Sequence, residues 1–281
     1  MPTFDTPAPI SATIDLGLGD VRITAGDRAT TVVDVRPSDP SNDGDTRAAN
    51  ATRIELANDQ LLVKAPKLRQ WLPRSDGGSI DVTVELPAGS NINGSAGSAD
   101  FRCDGRLGTC RIKIGLGTIE VDQADTLHLK SGAGDITVDR ATGAAELTAG
   151  SGDLRVRETD SGAVIKNSNG DTWVGLAGGD VRLNAANGSI AVDVANASVV
   201  AKTANGDVRL GDVARGSVAL ETHMGDVEVG IREGTAAWLD VNARAGKVHN
   251  ALTAADSPGT SAERVEVRAR TSVGNIVIRR P

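Results

Sequence analysis

The sequence predicts an all-β protein, a right-handed single-chain β-solenoid of two-strand coils with an N-terminal β-cap. Three observations carry that reading. A glycine followed by a short polar residue and then aliphatic or β-branched residues recurs at Gly134, Gly152, Gly170, Gly188, Gly206 and Gly225, in steps of 18, 18, 18, 18 and 19 residues. That period is too short for a two-helix repeat and fits one β-coil. Apolar residues keep fixed offsets from the glycine, two apart, and clusters of Gly, Asn, Asp, Ser and Thr lie between them, as turns require.

The offsets assign the inward side chains. Two after the glycine stand Ile136, Leu154, Thr172, Ile190, Val208 and Val227; four after it stand Val138, Val156, Val174, Val192, Leu210 and Val229. Five before it come Leu129, Leu147, Ile165, Leu183, Ala201 and Leu220; seven before it come Leu127, Ala145, Ala163, Val181, Val199 and Val218. A spacing of two is the strand period, so each coil carries two short strands with one buried face apiece. A helical reading fails because glycine would interrupt every helix.

The frame extends to Gly117, more weakly to Gly97, and forward to Gly246 and Gly274 through looser steps of 21 and 28. The extra length is expected as a loop from Ala251 to Ser261. Gly19 fits as well, with Ile14 before it and Val21 and Ile23 after it. From Thr31 to Leu86 longer alternating strands read as the cap, with loops at Pro37 to Asn50 and Pro66 to Gly78. Residues 1–90 are therefore expected to form N-terminal strands and cap, continuous with solenoid repeats over residues 91–281, in one elongated domain. Such a cap protects the edge hydrogen bonds of the terminal rung.

The formal net charge of −7, the scattered Lys and Arg and 2% aromatic residues argue against nucleic acid as a partner. No segment approaches the roughly 20 apolar residues that span a bilayer, and the first residues lack a signal-peptide pattern, so a cytoplasmic location is expected. Cys103 and Cys110 are read as reduced packing residues, with Cys110 on an inward position. No cofactor or metal is expected. The aspartates Asp135, Asp153, Asp171, Asp207 and Asp226 follow their glycines and stack along one edge. We read them as turn caps, each accepting backbone N–H groups in its own turn, because they miss the ligand spacing of calcium-binding β-rolls. His128, His223 and His249 fall in different rungs, and no carboxylate pair converges, so no catalytic residue is expected.

One outward surface is less polar. Trp173 lies between inward slots with Ala191 in the next rung, and Val164 and Val200 occupy outward positions of the other strand. These three, Trp173, Val164 and Val200, form the expected interaction face for an unidentified protein partner.

The stretch IDVTVELPAGS (Ile80 to Ser90), followed by units such as SGAGDITV (Ser131 to Val138), resembles the bacterial β-strand-repeat "putative adhesin" family over about Ile10 to Ile278. The resemblance implies a β-solenoid without established enzymatic activity. A weaker resemblance is to bactofilins, cytosolic solenoid polymers. The sequence thus favours a non-enzymatic scaffold or interaction module. The alternatives are a surface adhesin, a carbohydrate-binding or -processing β-helix protein, and a bactofilin-like polymer. Self-association is expected at an open C-terminal rung around Val273 to Ile278. Val208→Asp would bury an unpaired carboxylate in an inward column, so it should abolish the cooperative thermal transition that the parent chain shows by circular dichroism.

Overall fold

Strand alternation fills the core, and the glycine corners set where each strand ends. The computed structural model describes residues 1–66, 78–252 and 263–281. Most of the loops expected at Pro66 to Gly78 and Ala251 to Ser261 lies outside the described residues. Two units are distinguished, Met1–Asp139 and Arg140–Pro281.

In the second unit parallel strands form two stacks. One contains Ala145–Ser151, Ala163–Asn169, Val181–Asn187, Val199–Asn205 and Gly216–Met224, in which successive strands pair in register. The other contains Leu154–Thr159, Thr172–Ala177, Ile190–Ala195, Val208–Val213 and Val227–Ile231. The inward residues of this unit stack on one another in these registers, as Ile190 does on Val208. All are 4% exposed or less. A further buried column, Ala141, Thr159, Ala177, Ala195, Val213 and Ile231, lines the far end of the second strand. Both stacks bury one face, which makes the chain an all-β solenoid.

The last rungs do not follow chain order. Strand Arg264–Val273 pairs with Gly216–Met224 on one side and Ala236–Ala245 on the other. Ile276–Arg279 likewise lies between Val227–Ile231 and Val248–Asn250. The chain skips one rung position and fills it afterwards. The expected open rung at Val273 to Ile278 is therefore interior, and the edge belongs to Ala236–Ala245 and Val248–Asn250. Side-chain chemistry explains the order. The inserted rung brings Val265, Val267, Ala269, Ile276 and Ile278, all buried, whereas the edge rung has Asn250 in an inward slot, which would lose its hydration in the interior. Arg280 secures the crossing turn, donating to the carbonyls of Ile231 at 3.0 Å and Arg232 at 2.6 Å.

In the first unit the strand Ser11–Gly26 is flanked by Asn91–Leu116 on one side and by Gln60–Lys64 and Ser79–Pro87 on the other. Beyond these, Arg53–Ala57 pairs antiparallel with Gln60–Lys64 and Thr30–Pro37 with Ser79–Pro87, and Thr3–Asp5 adds antiparallel to Thr30–Pro37. Reversal of direction ends the parallel stack. Asn58 and Asp59 take left-handed conformations in the two-residue turn between Arg53–Ala57 and Gln60–Lys64, as such hairpins require. The region expected as a loop from Pro37 to Asn50 instead holds a helix, Asp43–Ala51. Asn42 caps it by accepting from the Gly44 N–H at 2.7 Å. Asp45 within it accepts from the Ser79 N–H at 2.9 Å and so ties the helix to the cap strand.

The corner glycine answers a close approach. At Gly188 φ is +135°, and an added Cβ would lie 2.0 Å from the Gly170 carbonyl oxygen, so the rungs touch backbone to backbone. Thr172 is the one polar member of its column; it is 2% exposed and its hydroxyl has no hydrogen-bond partner. Thr172→Val, which removes that hydroxyl at nearly constant volume, should raise stability by about 1 kcal/mol in urea unfolding. A loss of stability would show that the hydroxyl is satisfied in solution.

Candidate functional site

At the corner, two hydrogen-bond series run from rung to rung. The outer one uses the residue after the glycine. The Asp171 N–H donates to Asp153 Oδ1 at 3.0 Å, and the Ser189 N–H to Asp171 Oδ1 at 2.8 Å. The Asp207 N–H donates to Ser189 Oγ at 3.3 Å, and the Asp226 N–H to Asp207 Oδ1 at 2.8 Å. It continues in spatial rather than chain order, with the Asn275 N–H on Asp226 at 2.6 Å and the Lys247 N–H on Asn275 at 3.1 Å. Thr118 and Asp100 make the same contact in the first unit, at 2.7 Å. Asp153, Asp171, Asp207 and Asp226 thus cap the next rung rather than their own turns. The correction has a simple cause: at rung spacing the neighbouring N–H lies within reach of a one-carbon side chain. Asp135 occupies the equivalent place in its own turn.

The inner series was not legible as such. Three residues before the glycine, Asn167, Thr203, Thr222 and Thr271 are buried, and each donates to the glycine carbonyl of the adjacent rung, at 2.8–3.0 Å. The recurrence of polar residues at that offset is the signal that could have found it.

These contacts account for the aspartate row structurally. Asp153 is further balanced by Arg155 at 2.8 Å. Among the described residues no group of three or more His, Cys, Asp or Glu is arranged to hold a metal. His128, His223 and His249 are exposed on separate strands. In the first unit Asp81, Asp20 and Asp100 align across neighbouring strands beside Arg22, Arg102 and Glu120, lining a depression of about 390 Å³. Local contacts engage this row: Ser38 donates to Asp81 at 2.6 Å, and Arg102 pairs with Glu120 at 3.0 Å. Cys103 and Cys110 are free and buried. A hydrogen bond with Cys110, and then burial, push the Cys103 thiol well above its ordinary range, which leaves it un-ionised and unreactive at neutral pH.

The expected interaction face divides. Trp173 lies on the stack containing Ile190–Ala195, whereas Val164 and Val200 lie on the other stack and are separated by Arg182. The three do not form one surface. Trp173 does point outward, but it is half-buried. Its indole N–H donates to Asp193 Oδ2 at 3.1 Å. The ring lies across Gly175, where an added Cβ would meet it at 3.0 Å. Ala191 pairs with it in register, and the half-buried Leu176 and Val194 pair further along the same two strands. Missed by sequence reasoning were the more exposed Trp238 (57%) and Met224 (56%), near the terminal rung. No helix among the described residues is long and apolar enough to cross a membrane, which says nothing of membrane β-barrels.

Comparison with known families finds a match of residues 11–279 to the family model described as Toastrack DUF4097. A comparison with curated proteins finds no match. Among solved structures, a putative adhesin from Parabacteroides distasonis is similar at 13% identity and a TM-score of 0.33, covering 98% of this chain and 95% of that one. A putative lipid binding protein from the same organism shows 9% identity, a TM-score of 0.36 and the same coverages. A putative cell adhesion protein from Clostridium sporogenes shows 11% identity and a TM-score of 0.22, covering 100% and 98%. Likeness at these scores does not bear on function.

The outer series yields a stability test. Asp171→Ala removes the acceptor of the Ser189 N–H and should cost about 1 kcal/mol in chemical unfolding, while Asp171→Asn keeps an acceptor and should cost clearly less. Equal losses from both would mean that the charge, not the cap, matters.

Proposed function

We propose, from the premise that the chain belongs to the Toastrack DUF4097 family, that it is a non-enzymatic interaction module, a stiff scaffold presenting a fixed binding surface to a protein partner. The observation that carries this reading is the anchoring of Trp173. An aromatic ring on a regular sheet is held by one hydrogen bond and laid over a glycine, so little side-chain freedom is lost when a partner covers it. Ala191 adjoins it with an apolar side chain, Leu176 and Val194 lie half-buried on the same two strands, and Arg155 and Arg209 flank the pair on neighbouring strands. Elsewhere the outer faces are engaged in pairs such as Lys202 with Glu221 at 2.8 Å and Arg232 with Asp212 at 2.7 Å. Such exposed pairs contribute about 0–1 kcal/mol each and mainly keep the sheets soluble.

The cytoplasm remains part of this proposal, because its partners would be met there. Affinity capture from native cells, run with the parent chain and Trp173→Ala in parallel, tests the reading. A specific partner should be retained by the parent and lost at least about tenfold from the variant, a difference of roughly 1.4 kcal/mol. The melting temperature should stay within a few degrees. Equal capture by both chains would remove the Trp173 surface from consideration, and turnover of a polysaccharide abolished by one Asp or His substitution would replace the whole reading.

A further inference from the structure

The terminal rung of the second unit leaves a strand edge open. Among the described residues Ala236–Ala245 pairs only with Arg264–Val273, and Val248–Asn250 only with Ile276–Arg279. The Ala236 N–H donates to the Glu263 carbonyl at 3.1 Å. By strand alternation the N–H and C=O groups of Leu239 and Val241 therefore point away from that neighbour, off the edge. The core also changes here. Inward residues of the preceding rungs are fully buried, but Leu239, Val241 and Ala243 are only half-buried, and Val248 is 43% exposed. A row of free backbone groups beside half-covered apolar side chains is satisfied by another strand, which supplies hydrogen bonds and apolar cover together.

We infer that the occupant is a second copy of this chain, paired antiparallel through Ala236–Ala245 about a twofold axis at Val241. The sequence AAWLDVNARA is complementary to itself in that register. Val241 meets its own copy, and Leu239 faces Ala243 of the partner subunit, so core packs on core. On the outer face Trp238 stands opposite Arg244 of the partner subunit, and Asp240 opposite Asn242 of the partner subunit. No like charges oppose one another. Trp238 already takes one guanidinium, that of Arg268, at 6.0 Å from its ring centroid, and the pairing supplies another. Every residue keeps its inward or outward sense, which a shift by one residue would destroy.

The geometry selects a closed dimer over a filament. Head-to-tail growth needs a second edge of matching length. The terminal strands of the first unit, Thr3–Asp5 and Arg53–Ala57, have only three and five residues, and Arg53 is engaged by Glu55 on its own strand. An isologous contact uses the same edge twice and so closes it. The Trp173 surface takes no part in it.

Sedimentation velocity of the full chain over a range of concentrations tests the inference. A reversible monomer–dimer equilibrium is expected. Val241→Pro deletes an N–H that only the partner strand uses, so it should give a monomer with an unchanged circular dichroism spectrum. Arg244→Glu, at an exposed outward position, should weaken the dimer about tenfold without touching the fold, and it decides the matter should the proline variant unfold. Trp173→Ala should leave the dimer as it is. A parent chain that stays monomeric at the highest concentration, that forms species larger than a dimer, or whose dimer survives Arg244→Glu unchanged would overturn the proposal.

Discussion

The constraint on which the rest depends is the contact between rungs at the glycine corner. There the backbones meet too closely for any side chain, and two hydrogen-bond series cross the gap, one on each side of the chain. The outer series uses Asp153, Asp171, Ser189, Asp207 and Asp226; the inner one uses Asn167, Thr203, Thr222 and Thr271. Together they fix the axial register of each rung against the next. With register fixed, the strands that leave the corner in either direction can only stack like on like, and the apolar columns follow.

That arrangement answers the apparent problem of a row of aspartates. Read alone, a line of carboxylates at rung spacing suggests a cation site. In the structure Asp153, Asp171, Asp207 and Asp226 each accept a particular N–H of the next rung, and Ser189 performs the same task without charge. An acidic row that tolerates serine in the middle is a row chosen for acceptor oxygens rather than for charge. The same economy leaves the outer faces free to vary, which is why the features of interest, Trp173 and the exposed Trp238, sit on positions that the corner does not constrain.

The two units deal with the same difficulty, an exposed sheet edge, by different means. In the first unit the stack is ended by antiparallel strands and a helix fastened through Asp45. In the second unit the end rung is drawn from the part of the chain whose inward slots are least apolar. Placing Val265, Val267, Ile276 and Ile278 in the interior rung and Asn250 in the edge rung lowers the cost of an open end, because the inward slots left uncovered include one whose side chain prefers water.

The sequence by itself determined the coil, the two inward columns on each strand and the corners from Gly117 onward, because an 18-residue period with strand alternation leaves no other assignment for Ile136, Leu154, Ile190 or Val208; at the weaker Gly97 rung the corner falls instead at Ala99, which pairs with Gly19. Family membership was legible for the same reason, in the repeated glycine–aspartate turns. Only the tertiary structure decided what crosses between coils. Which N–H an aspartate caps depends on the distance to the next rung, not on its neighbours in sequence. Whether Trp173 shares a face with Val164 depends on which stack each strand joins. The order of the last rungs depends on competition between two segments for the same interior place, a comparison of burial energies that no local pattern expresses.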